Sequence, residues 1–254
     1  MIQHFQPISA FKKDPYNKII AFPKPRDAEI KKRIIELKKL GVSHVSFTGP
    51  LQIEKCQILG KGYVGMVVLA KQNNKVVVLK IRRIDSPRKN MINEAKLLKT
   101  ANKLKIGPKF IKNSKNFLIM EYIDGEKIID WAKKSETKAK EIRSVVKNVL
   151  RECFLLDDAG LDHGELSTID KHVIVSKKRN TIIDFESSSV NRKPSNVTGA
   201  TQGILIGTGL AKIIQKKIKI PTKKKIIDLI RMYKKNPTLE NFESLIIGLK
   251  LEKN

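Results

Sequence analysis

A glycine-rich segment, a lysine and a glutamate follow one another at spacings that suit the binding of a polyphosphate. Residues 60–67 read GKGYVGMV and fit the pattern G-x-G-x-x-G-x-V without a gap. Glycines let the backbone approach phosphate groups closely. Lys80 ends the apolar run VVL, where its ammonium could reach phosphates while Glu94 holds it from a neighbouring helix. Each feature also has an ordinary interpretation, as a plain turn, one of many lysines, and an exposed helical carboxylate.

Two phosphate-binding folds use this glycine pattern in different ways. In a dinucleotide-binding fold the glycines open a helix and an acidic residue follows about 20 residues later, a spacing that Asp85 meets from Gly65. In a protein kinase the glycines form the tip of a hairpin that covers the phosphates of ATP. The residues after Gly65 read MVVLA and lead into the Asn-rich turn Gln72-Asn73-Asn74, which is typical of a hairpin. The sequence therefore favours the hairpin.

Three further motifs complete a recognisable set. Residues 118–125 read LIMEYIDG, an apolar strand running into a glycine-containing link whose backbone could line an adenine pocket, and residues 163–170 and 182–186 read HGELSTID and IIDFE. In this order the five motifs resemble the eukaryotic-type protein kinase superfamily, most of all its atypical RIO branch and the small kinase of the KEOPS tRNA-modification complex. The chain is also similar to an archaeal group of predicted serine/threonine kinases. The resemblance spans roughly residues 50–215.

The resemblance implies ATP and Mg²⁺ (or Mn²⁺) as cofactors and a role for each motif residue. The implied ATP-binding residues are Gly60, Lys61, Gly62, Gly65, Val67, Lys80, Glu121 and Ile123, the last two through hinge backbone. Glu94 would hold Lys80. Glu165 falls at the position of the family's catalytic aspartate, and Asp170 and Asp184 fall at its two metal-binding positions.

Other residues of these segments have secondary roles by the same resemblance. Ser167 matches the D-L-S-x-x-N form of the catalytic loop that is typical of RIO kinases. His163 matches a histidine whose role is architectural. His172, one strand later, is assigned to packing.

The sequence departs from the family pattern at three positions. Glu165 is one methylene longer than the family's aspartate, and a misplacement of about 1 Å can cost on the order of 100-fold in rate, so we expect slow catalysis. Asp170 replaces an asparagine but keeps an oxygen ligand, so metal binding should survive. Glu186 replaces the flexible glycine of D-F-G. No A-P-E triplet follows, so a peptide-binding activation segment is not expected.

The elements that must position these residues can be outlined from hydrophobic periodicity. Residues 1–25, rich in proline, predict an irregular arm, and a helix capped by Asp27 and ended by Gly41 predicts a docking surface for something else. The predicted strands are Val42–Phe47, Gln52–Leu59, Val64–Ala70, Val76–Ile81, Phe117–Ile123, His172–Val175 and Thr181–Phe185. The predicted helices are Ile92–Leu104, Lys138–Leu156, and three patterns near 200–217, 223–234 and 239–249.

These elements predict an α+β, two-lobed protein-kinase-like fold with a small antiparallel sheet lobe and a mainly helical lobe. The expected organisation is an N-terminal arm and helix over 1–49, an N-lobe over 50–123, and a C-lobe over 124–254. A length of 254 residues is ample for a buried core.

Composition restricts the partners and the compartment. The formal charge of +27 favours RNA, including ribosomal particles, DNA or an anionic lipid surface, although solvated lysines explain it equally well, and Arg, the better phosphate reader, occurs only 10 times. Two distant cysteines, Cys56 and Cys153, build neither a disulfide framework nor a zinc site, which favours a reducing cytoplasm. A signal peptide and a membrane span are not indicated, so no membrane partner is expected.

Three functions remain open at this point. The first is an ATP-dependent phosphotransferase of the serine/threonine protein kinase type, slow or acting mainly as an ATPase, with an unknown protein or small-molecule acceptor. The second is a catalytically weak nucleotide-binding scaffold in an RNA-associated complex. The third is a small-molecule kinase of the aminoglycoside type, which uses a similar catalytic loop but has a larger substrate subdomain.

Overall fold

The computed structural model describes residues 4–252, and these form two compact units. The first unit contains the chain up to Lys99 together with Pro108–Tyr122, and the second contains Thr100–Gly107 together with the chain from Ile123 onward. Antiparallel strands dominate the first unit and helices dominate the second. This is the α+β architecture that the sequence predicts.

The first unit is built on one main sheet. Its elements are β1 (Phe5–Pro7), α1 (Asn17–Ile20), α2 (Asp27–Lys39), β2 (Val42–Ser46), β3 (Leu51–Ile53), β4 (Cys56–Ile58), β5 (Gly60–Lys61), β6 (Gly65–Gln72), β7 (Lys75–Arg82), α3 (Ile92–Lys103, which ends in the second unit), β8 (Phe110–Asn113) and β9 (Phe117–Glu121). The strand order is β1-β2-β6-β7-β9-β8, with β5 beside the start of β6, and β3 and β4 form a separate hairpin. All these pairs are antiparallel.

The β6–β7 hairpin forms because its turn residues accept an unusual backbone conformation. Asn73 and Asn74 have φ of +48° and +62°. Two central residues with positive φ give a turn whose twist matches that of the flanking strands, and asparagine tolerates this region better than most residues. The resulting register places Val67 opposite Lys80.

The described part of the N-terminal segment is ordered and packed, which corrects the prediction of an irregular arm. β1 pairs with β2, and a 3-10 helix at Ile8–Lys12 and α1 follow. Phe11, Ile19 and Ile20 are buried in the same hydrophobic cluster as strands β6 and β7. Phe11 meets Phe47 edge to face at 5.7 Å between ring centroids. Tertiary packing of these apolar residues outweighs the breaks in periodicity that the prolines cause.

Helix α2 packs on its own unit, whereas the sequence predicts that it docks elsewhere. Ile30, Ile34 and Leu37 form its buried face, as their spacing predicts. Asp27 is the first helical residue and Arg26 holds the cap position, so the predicted side-chain cap is wrong. An acidic residue in the first turn still interacts favourably with the helix dipole.

A fully buried arginine joins α2 to the sheet. The guanidinium of Arg33 donates to the carbonyl oxygen of Ile20 at 2.8 Å and to that of Arg82, and its Nε donates to Glu29 at 2.7 Å. These bonds satisfy a charge that would be costly to bury alone. Because Arg33 has no exposed surface, it cannot contribute to a basic surface cluster with Lys31 and Lys32.

The second unit contains a small sheet surrounded by helices. Its elements are β10 (Gly125–Lys127), α4 (Ile128–Lys133), α5 (Ala139–Asp158), β11 (Val173–Ser176), β12 (Asn180–Ile182), α6 (Asn196–Leu205), α7 (Gly209–Lys217), α8 (Lys223–Lys235) and α9 (Leu239–Gly248). The sheet has the order β10-β11-β12. Two 3-10 helices, Leu166–Lys171 and Phe185–Ser187, carry residues of the predicted catalytic motifs.

Sequence periodicity misses or merges several short elements. β8, β10 and α4 are six residues long or shorter and are not predicted, and the predicted strand 52–59 is two strands, β3 and β4. The predicted helix near 200–217 is two helices, α6 and α7, bent by 67°. No single helix within residues 4–252 is long and apolar enough to cross a membrane, although this bent pair reaches the required composition.

Candidate functional site

The glycine-rich segment forms the tip of a hairpin in the first unit. Gly60 pairs with Val67 across β5 and β6, and the N–H of Gly62 donates to the carbonyl of Gly65 at 2.8 Å. β6 begins at Gly65, so the glycines close a strand turn instead of opening a helix. The tip carries Tyr63, whose side chain is largely exposed. This is the arrangement that favours a phosphate-covering loop over a dinucleotide fingerprint.

Lys80 and Glu94 form a buried ion pair. The ammonium of Lys80 in β7 lies 2.7 Å from a carboxylate oxygen of Glu94 in α3, and the two side chains are 4% and 7% exposed. Gly65 sits directly against this lysine, because a Cβ built there would lie 3.2 Å from Cγ of Lys80 and 3.0 Å from the carbonyl oxygen of Ile81. Because Gly65 has no side chain, the glycine-rich loop can lie in direct contact with Lys80.

In Gly65→Ala the added Cβ would press on both the backbone carbonyl of Ile81 and the side chain of Lys80. Because a backbone carbonyl moves aside less easily than a side chain, we expect Lys80 to be displaced. Overpacking of this kind typically costs about 1–3 kcal/mol, so we expect a lower free energy of unfolding and weaker ATP binding. Denaturant unfolding and ATP titration measure the two effects. Gly60→Ala is the matched control for unfolding without ligand, since its Cβ would lie 4.0 Å from the nearest side-chain atom. Wild-type stability of Gly65→Ala would contradict the close contact.

An arginine directly after β7 anchors the glycine-rich loop. The guanidinium of Arg83 donates to the carbonyl of Gly62 at 3.2 Å, and it forms a two-point ion pair with Asp85 at 2.9 and 2.6 Å. The Arg83 guanidinium lowers the pKa of the Asp85 carboxyl. Phe22 lies under both Arg83 and the ammonium of Lys61, at 5.0 and 4.5 Å from its ring centroid. The ion pair with Arg83 therefore gives Asp85 a structural role. Its spacing from Gly65 does not need a bound dinucleotide to explain it.

The predicted hinge residues lie at the end of β9 and just after it. The N–H of Glu121 donates to the carbonyl of Lys109 at 2.9 Å, and its carboxylate accepts from the N–H of Lys109 at 2.9 Å. Ile123 begins the second unit and is buried. Both the amide and the carboxylate of Glu121 are therefore used within the first unit.

In the second unit His163 has the architectural role that the sequence predicts. Its Nε2 lies 3.0 Å from the carbonyl of Ile183, and its ring meets that of Phe185 edge to face at 5.1 Å. Burial lowers the pKa of His163 to about 4, so the ring is neutral at pH 7. His163 thereby joins the catalytic-loop segment to the segment that carries Asp184.

Glu165 is held at both carboxylate oxygens. Oε1 accepts a hydrogen bond from the hydroxyl of Ser187, and Oε2 lies 3.1 Å from Nε2 of His172. Gly164 permits this arrangement, since it has φ of +88° and a Cβ there would lie 2.5 Å from an Arg192 nitrogen. Sequence reasoning missed both partners and assigned His172 to packing alone. One feature of the sequence could have indicated the contact with His172: this histidine comes directly before the apolar strand VIVS, seven residues after Glu165.

Asp170 and Asp184 lie at the ends of the two 3-10 segments. Asp170 is near the end of Leu166–Lys171, and Asp184 precedes Phe185–Ser187 with φ of +70° and ψ of +71°. A non-glycine residue in this region is uncommon and often marks a functional position. Glu186 is not among the residues with positive φ, so the family's glycine is not needed at that position.

The donor set suits Mg²⁺ in combination with phosphate oxygens. Within residues 4–252 no three His, Cys, Asp or Glu side chains gather into a metal site. Mg²⁺ is commonly bound by one or two carboxylates together with substrate phosphates and water, so two aspartates are a sufficient protein contribution. Asp170 and Asp184 therefore offer the oxygen ligands that Mg²⁺ takes together with a nucleotide.

A cavity of about 320 Å³ lies in the second unit, and residues on both sides of Glu165 in the chain, but not Glu165 itself, line it. Its lining includes Gly164, Ser167, Arg192 and Ser195. This volume is at the small end of ligand-binding pockets. The other lining residues are Asp162, Leu166, Asn196 and Gly199, so the walls carry a carboxylate as well as a guanidinium.

Comparisons with known proteins identify the family of this chain and one archaeal relative. The sequence profile of the RIO domain matches residues 71–198, half of the chain. The chain is 31% identical over 102 residues to the uncharacterized protein MJ1211 of Methanocaldococcus jannaschii, a match that covers 40% of this chain and 84% of that protein. The profile match begins within β6, after the glycine-rich loop, and includes Lys80, Glu94, Glu165, Asp170 and Asp184.

The first unit has an antiparallel sheet, a glycine hairpin and a buried lysine–glutamate pair, and the second unit is mainly helical. Together these features define a protein-kinase-like α+β fold. The chain belongs to the RIO family of atypical protein kinases. The resemblance inferred from the motifs is thereby confirmed. Members of this family generally bind ATP with Mg²⁺.

Proposed function

We propose that the protein binds ATP with Mg²⁺ or Mn²⁺ and transfers the γ-phosphoryl group to a hydroxyl acceptor, as serine/threonine protein kinases do, or slowly to water. The observation that carries the proposal is the buried Lys80–Glu94 pair lying against Gly65. Two buried charges of opposite sign are seldom more stabilising than apolar residues of the same size. Their retention beneath a glycine loop supports a role in binding phosphates.

In this proposal the first unit binds the nucleotide. Lys80 neutralises the α- and β-phosphates, and Glu94 holds its ammonium in place. The loop residues Gly60, Lys61, Gly62, Gly65 and Val67 cover the phosphates. Glu121 contacts adenine through its carbonyl, and Ile123 through the backbone of the following link.

The second unit supplies the carboxylates. Glu165 accepts the proton of the attacking hydroxyl, and Asp170 and Asp184 hold the metal through oxygen ligands. The nucleotide, when bound, supplies the phosphoryl group. The side chain of Glu165 is 42% exposed, which supports an acceptor hydroxyl that approaches this carboxylate from solvent.

The experiment that tests the proposal is a thermal-shift titration with ATP and Mg²⁺, followed by measurement of phosphate release and self-phosphorylation. A ligand present at 100 times its Kd stabilises by about 2.7 kcal/mol, which gives a shift of several degrees. Asp184→Ala should remove the metal dependence of that shift. Stabilisation without any turnover would favour a nucleotide-binding scaffold over an enzyme, and no stabilisation by millimolar ATP would contradict both.

A cytoplasmic location is part of the proposal. Both cysteines, Cys56 and Cys153, are free and buried. Burial raises the pKa of the Cys56 thiol to about 11, which makes this thiol unreactive at neutral pH. Thiols of this kind suit a reducing compartment.

RNA, including RNA in ribosomal particles, is the proposed polyanionic partner, through lysines at the junction of α7 and α8. Lys223, Lys224 and Lys225 occupy the first turn of α8, which has no acidic residue. The helix dipole disfavours cations at that end, so these lysines gain no stabilisation from the helix itself. Lys216 and Lys219 lie just before them in the chain, at the end of α7 and after it. A cluster placed against the helix dipole supports a role in binding phosphates.

Structured RNA should bind with a logarithmic affinity that falls linearly with the logarithm of salt concentration, because each neutralised phosphate releases counterions. Reversing Lys223–Lys225 to glutamate should reduce both the affinity and the salt slope while ATP binding stays unchanged. Lys234 and Lys235 end the same helix, where the dipole favours cations, so their reversal is the matched control. Undetectable binding at low salt, or equal effects of both reversals, would show that the charge serves solubility.

A further inference from the structure

Both carboxylate oxygens of Glu165 have a close polar neighbour, the donating hydroxyl of Ser187 at Oε1 and Nε2 of His172 at 3.1 Å from Oε2, and the two neighbours come from different segments. Ser187 is the last residue of the short 3-10 helix that begins directly after Asp184. His172 comes directly before β11. The His172 side chain is 7% exposed, whereas that of Glu165 is 42% exposed. The carboxylate is therefore anchored from the protein side and remains accessible from the solvent side.

The length of the glutamate side chain suits these two contacts. An aspartate at the same backbone position would end about 1.5 Å earlier, roughly one carbon–carbon bond. A side chain that much shorter could not keep the 3.1 Å contact with His172 and the contact with Ser187 together. Glu165, where the family has an aspartate, therefore has two neighbours, His172 and Ser187, that its longer side chain can reach.

We propose that His172 and Ser187 are positioning residues that hold the carboxylate of the longer Glu165 side chain in the orientation that it needs to accept a proton. This inference rests on the proposed function, since it gives Glu165 the role of proton acceptor. A carboxylate has about four lone-pair positions, of which these two neighbours use at most two. The remaining positions stay available for the hydroxyl of an acceptor, and rotation of the long side chain is restricted.

We call the pair His172 and Ser187, which holds Glu165, the cradle. Its Ser187 side is fixed by further contacts. The carbonyl of Ser187 accepts from Arg192 at 2.9 Å, and Arg192 also forms an ion pair with the buried Asp162. Gly164 lets this segment lie directly over the catalytic loop, since a Cβ there would lie 2.7 Å from the Ser187 carbonyl oxygen. Ser187 cannot drift away from Glu165 without breaking these contacts.

Single substitutions separate positioning from packing. Ser187→Ala and His172→Leu should each lower the turnover number by about 10-fold, and together by about 100-fold, as expected for a carboxylate displaced by about 1 Å. The KM for ATP should stay within about twofold, because neither residue contributes to nucleotide binding. Ser187→Thr keeps the hydroxyl and should retain most of the turnover. Ser189→Ala, in the same segment but without contact to Glu165, is the matched control.

The decisive variant is Glu165→Asp in two backgrounds. In the otherwise wild-type chain it should reduce turnover by about 100-fold. In the protein that already carries Ser187→Ala and His172→Leu, the same change should alter turnover by less than about threefold, because the contacts that it removes are already gone. Equal effects in both backgrounds would overturn the proposal, as would an unchanged turnover number in Ser187→Ala and His172→Leu.

A second measurement keeps this test separate from that of the proposed function. Denaturant unfolding without ATP gives a double-mutant cycle for Glu165→Ala and Ser187→Ala, both at partly exposed positions. Non-additive free energies support the cradle even if the wild-type protein has no turnover, in which case the proposed function fails. Additive free energies would overturn the cradle itself.

Discussion

Lys80→Met is expected to abolish stabilisation by ATP and to destabilise the ligand-free protein by about 3–5 kcal/mol. The loss of binding follows from removal of the cation proposed for the α- and β-phosphates. The loss of stability follows because the Glu94 carboxylate, 7% exposed, remains buried without that ammonium. Thermal-shift titration and denaturant unfolding measure the two losses separately.

A second variant distinguishes the two causes. Lys80→Met combined with Glu94→Leu removes both charges and fills the site with apolar side chains, so stability should recover most of the way to the wild-type value. ATP binding should not recover. If the double variant binds ATP normally, phosphate recognition does not depend on this pair. If Lys80→Met alone is as stable as the wild type, the pair is not buried in solution.

Glu165→Gln should lower the turnover number by about 10²–10⁴-fold while leaving ATP affinity largely intact. The amide has the shape of the carboxylate but cannot accept a proton, and general-base catalysis typically contributes a factor of that size. Single-turnover phosphate release measures the first effect and ATP titration the second. Asp184→Ala is the useful comparison, because loss of a metal ligand should impair nucleotide binding as well. Turnover equal to that of the wild type in Glu165→Gln would mean that Glu165 is not the proton acceptor.

Local sequence chemistry predicted the parts of the fold that depend on neighbouring residues. The glycine spacing followed by apolar residues and an Asn-Asn turn indicated the β6–β7 hairpin, because turn type and strand pattern are both encoded within about 20 residues. The buried face of α2 followed from the spacing of Ile30, Ile34 and Leu37. The order of motifs predicted the family, which the RIO profile confirms.

Features that depend on distant residues were not predictable in the same way. The N-terminal segment appeared irregular because its short elements are too brief for periodicity, and only contacts such as that of Phe11 with Phe47 show that it is packed. His172 is assigned to packing on sequence alone because nothing in its own segment shows that its ring reaches Glu165. Arg33 directly follows Lys31 and Lys32 in the sequence, yet the structure buries it completely, which its neighbours alone do not indicate.

The pairing of β2 with β6 has a consequence for how the domain should be delimited. Ser46, Val45 and Val42 pair with residues 69–72 of β6, while β5 covers only the start of that strand. A protein shortened to begin at residue 50 would leave the backbone N–H and C=O groups of that part of β6 facing solvent. Unprotected sheet edges recruit strands from other molecules. Such a fragment should therefore self-associate, and the functional unit extends well before the span that the family profile matches.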